Sequence, residues 1–300
     1  MSAAATTTAP GGPPGRTPRS ARRGRTPLGP TVVLVLGAVY CLLPVLWVVT
    51  AATKTPGELF TTFSLAPSFN GGLTGNVTDL LDYGDGVFWR WALNTVLYAG
   101  VGSVLTVAVS AAAGYALAKY RFRGREAVFR LILAGVLVPQ VTLAIPQYLL
   151  LAQVGLTNTY WSVLLPSLIS PFSIYLCRIY AMAAVPDQLL EAGRIDGAGE
   201  WRLFGSVAMP LMLPGLITVL LLQFVAIWNN FLLPFIMLSS DERYPLTVGL
   251  FSLLNQGASQ PALYTLVISG AMLSVLPLVA LFLLLQRYWK LDMLSGGLKG

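Results

Sequence analysis

Apolar residues in this chain come in long unbroken runs, without the alternation of half-buried strands or the one-sided stripe of surface helices. The runs lie near 31–52, 92–118, 127–151, 160–181, 211–238 and 262–288. As a helix, each is long enough to cross a hydrocarbon core of roughly 30 Å at about 1.5 Å per residue. The first, Thr31 to Ala52, exceeds the roughly 7–15-residue core of a signal peptide and reads as a retained span. The pattern predicts an all-α membrane protein with six transmembrane helices, a six-span domain over 30–300, and a tail over 1–29. That tail is Ala, Thr, Pro, Gly and Arg, too poor in large apolar side chains to build a core, so it is expected to be disordered.

Polar residues between the runs set the orientation. With the N-terminus inside, 16 of the 19 basic residues fall in cytoplasmic segments, including Arg16, Arg19, Arg22, Arg23 and Arg25 of the tail. Only Lys54, Arg90 and Arg243 fall outside, so the positive-inside rule places both termini in the cytoplasm. Composition agrees: 55% of residues are hydrophobic and 10% charged, against about 25% charged in soluble domains. The net charge of +7 is spread over short loops and reads as topology, not nucleic-acid binding. Histidine is absent, Cys41 and Cys177 sit in apolar runs, and no phosphate-binding Gly-rich loop occurs. No disulfide, metal site, cofactor or ATP hydrolysis by the chain itself is implied.

Polar residues inside the runs are candidates for a path. Pro139, Pro146, Pro166 and Pro171 interrupt the third and fourth runs, with Gln140 and Gln147 among the apolar residues. Each proline frees a carbonyl that must find a neighbour or a wet cavity. The fifth run begins at Pro210 and Pro214, ends near Pro234, and contains Gln223 and Trp228-Asn229-Asn230-Phe231. Two adjacent amides do not both face lipid cheaply. Either a translocation lining, where amides beside aromatics suit sugar hydroxyls, or an interhelical hydrogen bond satisfies them. The candidate lining is Asn94, Gln140, Gln147, Gln223, Trp228, Asn229 and Asn230. The second run carries Gly100, Gly102, Ser103, Ala108, Ser110 and Gly114, which predicts close helix packing.

Residues 186–214 carry most of the charge of the second half. Pro186 suits a first helical turn, Asp187 and Glu191 its dipole, and Asp196-Gly197 a turn, followed by an amphipathic piece from Trp201 to Val207. Glu191-Ala192-Gly193, Gly197, Val207, Met209 and Pro210 keep the spacing of the Glu-Ala-Ala loop of ABC-importer permeases, with Gly193, Val207 and Met209 departing in residue type. Asn94-Thr95, the run Gly114 to Arg125, Val154 to Tyr160, Pro171-Phe172-Ser173-Ile174 and the Gly-rich end with Lys299 resemble the carbohydrate branch that includes maltose-type permeases. Lys54-Thr55-Pro56-Gly57-Glu58 does so more loosely.

This resemblance implies a type I ABC importer permease fold in the cell membrane and a loop, 182–210, that couples to a separate ATPase. Glu191, Ala192, Gly193, Asp196, Gly197 and Pro210 would form the coupling surface. It also implies a heterodimer with a second permease subunit, two ATPase subunits and an extracytoplasmic binding protein, contacted through Asn255, Gln256 and Gly257 in the outer loop 239–261. The substrate would be a carbohydrate, or a polyol or glycerol-phosphate-type solute. An ion-coupled secondary transporter would place charges at mid-membrane, and the runs are essentially free of them. An intramembrane enzyme would need paired acids, a metal cluster or a Ser/His arrangement, and none is present.

Overall fold

A computed structural model describes residues 28–257 and 259–296. The basic tail up to residue 27 and the Gly-rich end from 297, with Lys299, lie outside the described residues. The chain divides into two units, one up to Pro44 and one from Val45 onward. In the first, helix α1 begins at Leu28 and presents Val32, Val33, Leu34 and Leu36 outward.

Among the described residues every regular element is helical. After α1 (Leu28–Ala52) come two short helices, α2 (Pro56–Thr61) and α3 (Gly72–Asp82), in what the sequence suggests is an outer loop. Thr55 and Glu58 form a capping box at α2. The Thr55 backbone N–H, then Ser68 and Asn70, pull the Glu58 carboxyl down to about 2. Lys54, in the same segment, is buried and donates to the carbonyl of Phe63 at 2.7 Å. Asn76 of α3 reaches back to the carbonyls of Ala52 and Lys54, closing the end of α1.

The central element is α4 (Val87–Lys119), against which α8 (Pro171–Ala184) and α11 (Met209–Trp228) pack. The small residues read from the sequence divide here by position. A Cβ on Gly114 would lie 2.6 Å from the backbone nitrogen of Arg178, and one on Gly102 3.1 Å from Ile227, whereas Gly100 faces open space. Of these three glycines the first two are sites of close helix approach.

Four helices, Gly29–Ala52, Val87–Lys119, Glu200–Trp228 and Ala262–Gln286, are individually long and apolar enough to cross a bilayer among the described residues. Two bent pairs raise the number to six if each is one broken span. The run at 127–151 is thus not one rod: α5 (Arg125–Val136) and α6 (Gln140–Gln153) meet at 104°. Pro139 lacks the N–H that would continue the helix. The run at 160–181 is likewise split, into α7 (Tyr160–Ser167) and α8, at 42°.

The fifth run is displaced from its expected limits. Trp201 to Val207 is not a separate amphipathic piece: α10 (Glu200–Leu203), a π-helical turn (Phe204–Ala208) and α11 follow without a gap. At its far end α11 stops at Trp228, so Asn229-Asn230-Phe231 lie outside the helix, before α12 (Leu232–Met237). The loop expected at 239–261 contains α13 (Leu246–Gln256), which precedes α14 (Ala262–Gly296).

Candidate functional site: a cavity at three helix breaks and a tethered loop

The breaks between α5 and α6, between α7 and α8, and between α11 and α12 all open onto one cavity of about 440 Å³. In a membrane, non-helical backbone is tolerated where protein or a water-filled cavity surrounds it, and broken helices gather at such places. The carbonyls freed by proline are partly taken up inside the protein. Pro171 leaves the carbonyl of Ser167 without its helical donor, and the Thr106 hydroxyl of α4 supplies one at 2.6 Å. Pro234 does the same to Asn230, whose carbonyl accepts from the Thr247 hydroxyl at 2.9 Å.

Five of the seven residues chosen from the sequence line this cavity: Gln140, Gln147, Gln223, Asn229 and Asn230, with Ser170, Phe172 and Phe231 beside them. No charged side chain is among the lining residues. Gln223 donates to the Ser170 hydroxyl at 3.1 Å, an interhelical bond, and Asn229 to the carbonyl of Val225 at 2.8 Å, at the end of its own helix. They line a cavity and also brace helix ends.

Trp228 and Asn94 do not belong to it. Trp228 is buried in the core, stacked on Phe224 at 5.4 Å. Asn94 donates to the carbonyls of Glu242 and Tyr244 at 2.8 and 3.0 Å and accepts from the Tyr160 hydroxyl. With Trp91 and Tyr98, which donate to Asp241 and Arg243 carbonyls, it clamps the turn before α13 to α4. Gly257 is also a packing position, buried against the Tyr264 ring, while Asn255 and Gln256 stay exposed at the end of α13.

The second candidate site is α9 (Asp187–Ile195) and its turn. Glu191, Ala192 and Asp196 are exposed, as is Pro210 beyond the π-turn. Leu190 points inward, whereas Ile195 and Trp201, 86% and 82% accessible, stand out from the surface. Asp196-Gly197 forms a Schellman stop: Gly197 N–H bonds Arg194 O at 3.0 Å and Ala198 N–H bonds Gly193 O at 2.9 Å. Gly197 has φ +80° with open space around it, so its need for glycine comes from the left-handed backbone, not from a neighbour. Gly193 has the opposite reason: a Cβ there would lie 2.5 Å from Leu203 Cδ2. The departure from Ala at this position makes room for Leu203.

Nothing in the sequence signals how firmly this loop is held. Lys119, the last residue of α4, donates to the carbonyl of Val185 and to Asp187 at 2.7 Å. That hydrogen bond, and then the lysine's charge, keep the Asp187 carboxyl below its ordinary range. Tyr120 donates to Glu200 at 2.9 Å, and Arg194 grips the same carboxylate at 2.7 and 3.2 Å. The Arg194 bond first and the Tyr120 bond second lower the pKa of Glu200. Both flanks of α9 are therefore bonded to the end of α4. Arg178 of α8 is largely buried. It lies 3.2 Å from Glu126 and over the Phe129 ring at 3.6 Å, joining α8 to α5.

Residues 105–293 match the family model described as the binding-protein-dependent transport system inner membrane component. The chain belongs to this family. Among curated relatives, it is 36% identical over 215 residues to the arabinooligosaccharides transport system permease protein AraQ of Halalkalibacterium halodurans, covering 72% of this chain and 76% of the relative. It is 33% identical to the lactose transport system permease protein LacG of Rhizobium radiobacter, over 88% of this chain and 93% of the relative. Among solved structures, a chain of a bacterial ABC transporter involved in the import of the acidic polysaccharide alginate superposes with a TM-score of 0.74 at 23% identity, covering 87% and 95% of the two chains. That likeness shows the fold of an ABC importer permease. The family is one of inner-membrane transport components, and this member is a multi-pass membrane permease with both its candidate sites inside or beside the matched region.

Proposed function

We propose that this inner-membrane component carries an uncharged carbohydrate through the cavity at the three helix breaks and is driven by a separate ATPase docked on α9. One observation carries the reading. The broken helices meet at a cavity whose polar lining is amide and hydroxyl, beside Phe172 and Phe231, with no charged group. Amides satisfy sugar hydroxyls, and aromatic faces suit the C–H faces of a pyranose or furanose. The names of the relatives, oligosaccharide and lactose permeases, support the same substrate class. A glycerol-phosphate-type solute would ask for a cation in the lining, which favours a sugar or a neutral polyol.

In this reading Glu191, Ala192, Gly193, Asp196, Gly197 and Pro210 face the ATPase, and both termini lie in the cytoplasm across six spans. A second permease subunit completes the path, two ATPase subunits supply the motion, and a binding protein delivers substrate near Asn255 and Gln256. Closure of the ATPases would move α9, and the bonds from Lys119 and Tyr120 would pass that movement into α4 as a rigid body. The nucleotide must hold the docked loop more tightly in one state than in the other, because equal affinity shifts no population. The subunit itself does no bond chemistry.

Uptake of labelled oligosaccharide into vesicles holding the assembled complex tests this. Uptake should require ATP and binding protein and proceed without an ion gradient. Uptake driven by a proton or sodium gradient alone would remove the proposal in favour of a secondary transporter.

A further inference from the structure

At the Lys119 end of α4 a second recess of about 370 Å³ opens, lined by Ala112, Tyr115, Ala116, Tyr120, Trp201 and Phe204. Its walls are aromatic and methyl. The Tyr115 ring packs against Phe204 and Tyr120 at 5.1 and 5.6 Å, while Trp201 is left 82% accessible. The one charged group in the lining, Glu200, is already held by Arg194 and Tyr120. Directly after Tyr120 the chain turns through Arg121 and Arg123, both exposed, and neither makes a hydrogen bond or an ion pair among the described residues. Their neighbours are accounted for: Lys119 pairs with Asp187, and Arg125 with Glu126. Two exposed arginines without a hydrogen bond, of which Arg121 adds its charge to the field on Asp187, thus follow directly on an apolar recess at the end of a membrane-spanning helix.

We propose that this recess seats an acyl chain of an anionic glycerophospholipid, whose phosphate is held by Arg121 and Arg123. The inference rests on the orientation given above, in which this end of α4 meets the cytoplasmic leaflet. Three properties favour a lipid over a protein segment. Tyr and Trp sit by preference at headgroup depth. Basic residues just beyond a span attract acidic lipid. The walls of the recess are mostly aromatic rings and methyl groups, and their one carboxylate, Glu200, is already taken. Because Trp201 and Phe204 belong to the segment joining α9 to α11, a lipid bound here would touch the moving loop itself.

The test uses the full chain in bilayers of defined composition. Trp201 is the reporter, its signal taken as wild type minus Trp201→Phe, and the quenchers are phosphatidylglycerol and phosphatidylcholine brominated on an acyl chain. Brominated phosphatidylglycerol should quench Trp201 at a mole fraction about ten- to thirtyfold lower than brominated phosphatidylcholine, the preference expected of two arginines near an acidic headgroup. Arg121→Gln with Arg123→Gln should abolish that preference, and Ala112→Leu with Ala116→Leu should reduce quenching by both lipids. Equal quenching by the two lipids, or a preference that survives loss of both arginines, would overturn the proposal. So would loss of quenching when the partner subunits are added, which would make the recess a protein interface. None of these outcomes depends on sugar uptake, so a failure here is distinguishable from failure of the transport reading.

Discussion

The Thr106 hydroxyl donates at 2.6 Å to the carbonyl of Ser167, four residues before Pro171, and so replaces the helical bond that the proline removes. The same hydroxyl lies 2.7 Å from the carbonyl of Gly102 in its own helix. A buried carbonyl left without a donor costs about 1–3 kcal/mol. Thr106→Val should therefore lower stability by that amount, read as a drop in the melting temperature of the purified chain in detergent. Thr106→Ser should recover most of it. Equal loss in both variants would point to the methyl group instead.

Gly114 and Gly100 lie on the same helix and predict opposite outcomes. A methyl at Gly114 meets the backbone of α8, which has no side-chain freedom with which to yield. Gly114→Ala should destabilise by about 1–3 kcal/mol. Gly100→Ala meets nothing within 4 Å and should be neutral or slightly stabilising. Thermal unfolding of the two variants side by side gives the comparison.

The turn after α9 should tolerate asparagine but not a branched residue. Gly197 sits at φ +80°, which Asn adopts with modest strain and Val does not. Gly197→Asn should keep ATPase co-purification near the wild-type level, and Gly197→Val should reduce it severalfold while the chain remains in the membrane. Similar retention in both would mean that the ATPase does not read this turn.

Removing the Lys119 tether should change both pH behaviour and coupling. Asp187 has a depressed pKa, so its contribution to holding α9 is complete above the ordinary carboxylate value of 3.8 and is lost only as pH falls through the lower folded value. At neutral pH the tether is fully engaged. Lys119→Met should move the Asp187 titration upward toward 3.8, measured by carboxyl-carbon NMR, because the lysine is the main cause of the shift. In the assembled transporter it should also lower sugar uptake per ATP hydrolysed, with ATP hydrolysis persisting. Unchanged uptake per ATP would show that the bond to α4 is not part of the force path.

Within the cavity, Gln223→Leu and Gln140→Leu remove hydrogen-bonding groups without changing size much. Uptake should fall at least severalfold while the ATPase still co-purifies. Normal uptake in both variants would move the path elsewhere in the assembly.

Long apolar runs, the sparsity of charge within them and the spacing from Glu191 to Pro210 were enough to give the helical class, the membrane and the family. Those features depend on local composition and on residues close in sequence, where each side chain reports its own solvent. The amides of the cavity were legible for the same reason: Gln140, Gln147, Gln223, Asn229 and Asn230 are polar groups in apolar surroundings, and such groups must converge on something. Convergence itself is a tertiary fact. Only the fold decided that Asn94 clamps the 241–244 turn and does not line the cavity, because its partners lie about 150 positions away. It also decided where the prolines break their helices, since a freed carbonyl is tolerable only where a Thr106 or Thr247 from another helix comes within reach. And it placed Lys119 and Tyr120 against Asp187 and Glu200, a pairing between common surface residues that carries no mark in the sequence until the chain brings the two ends together.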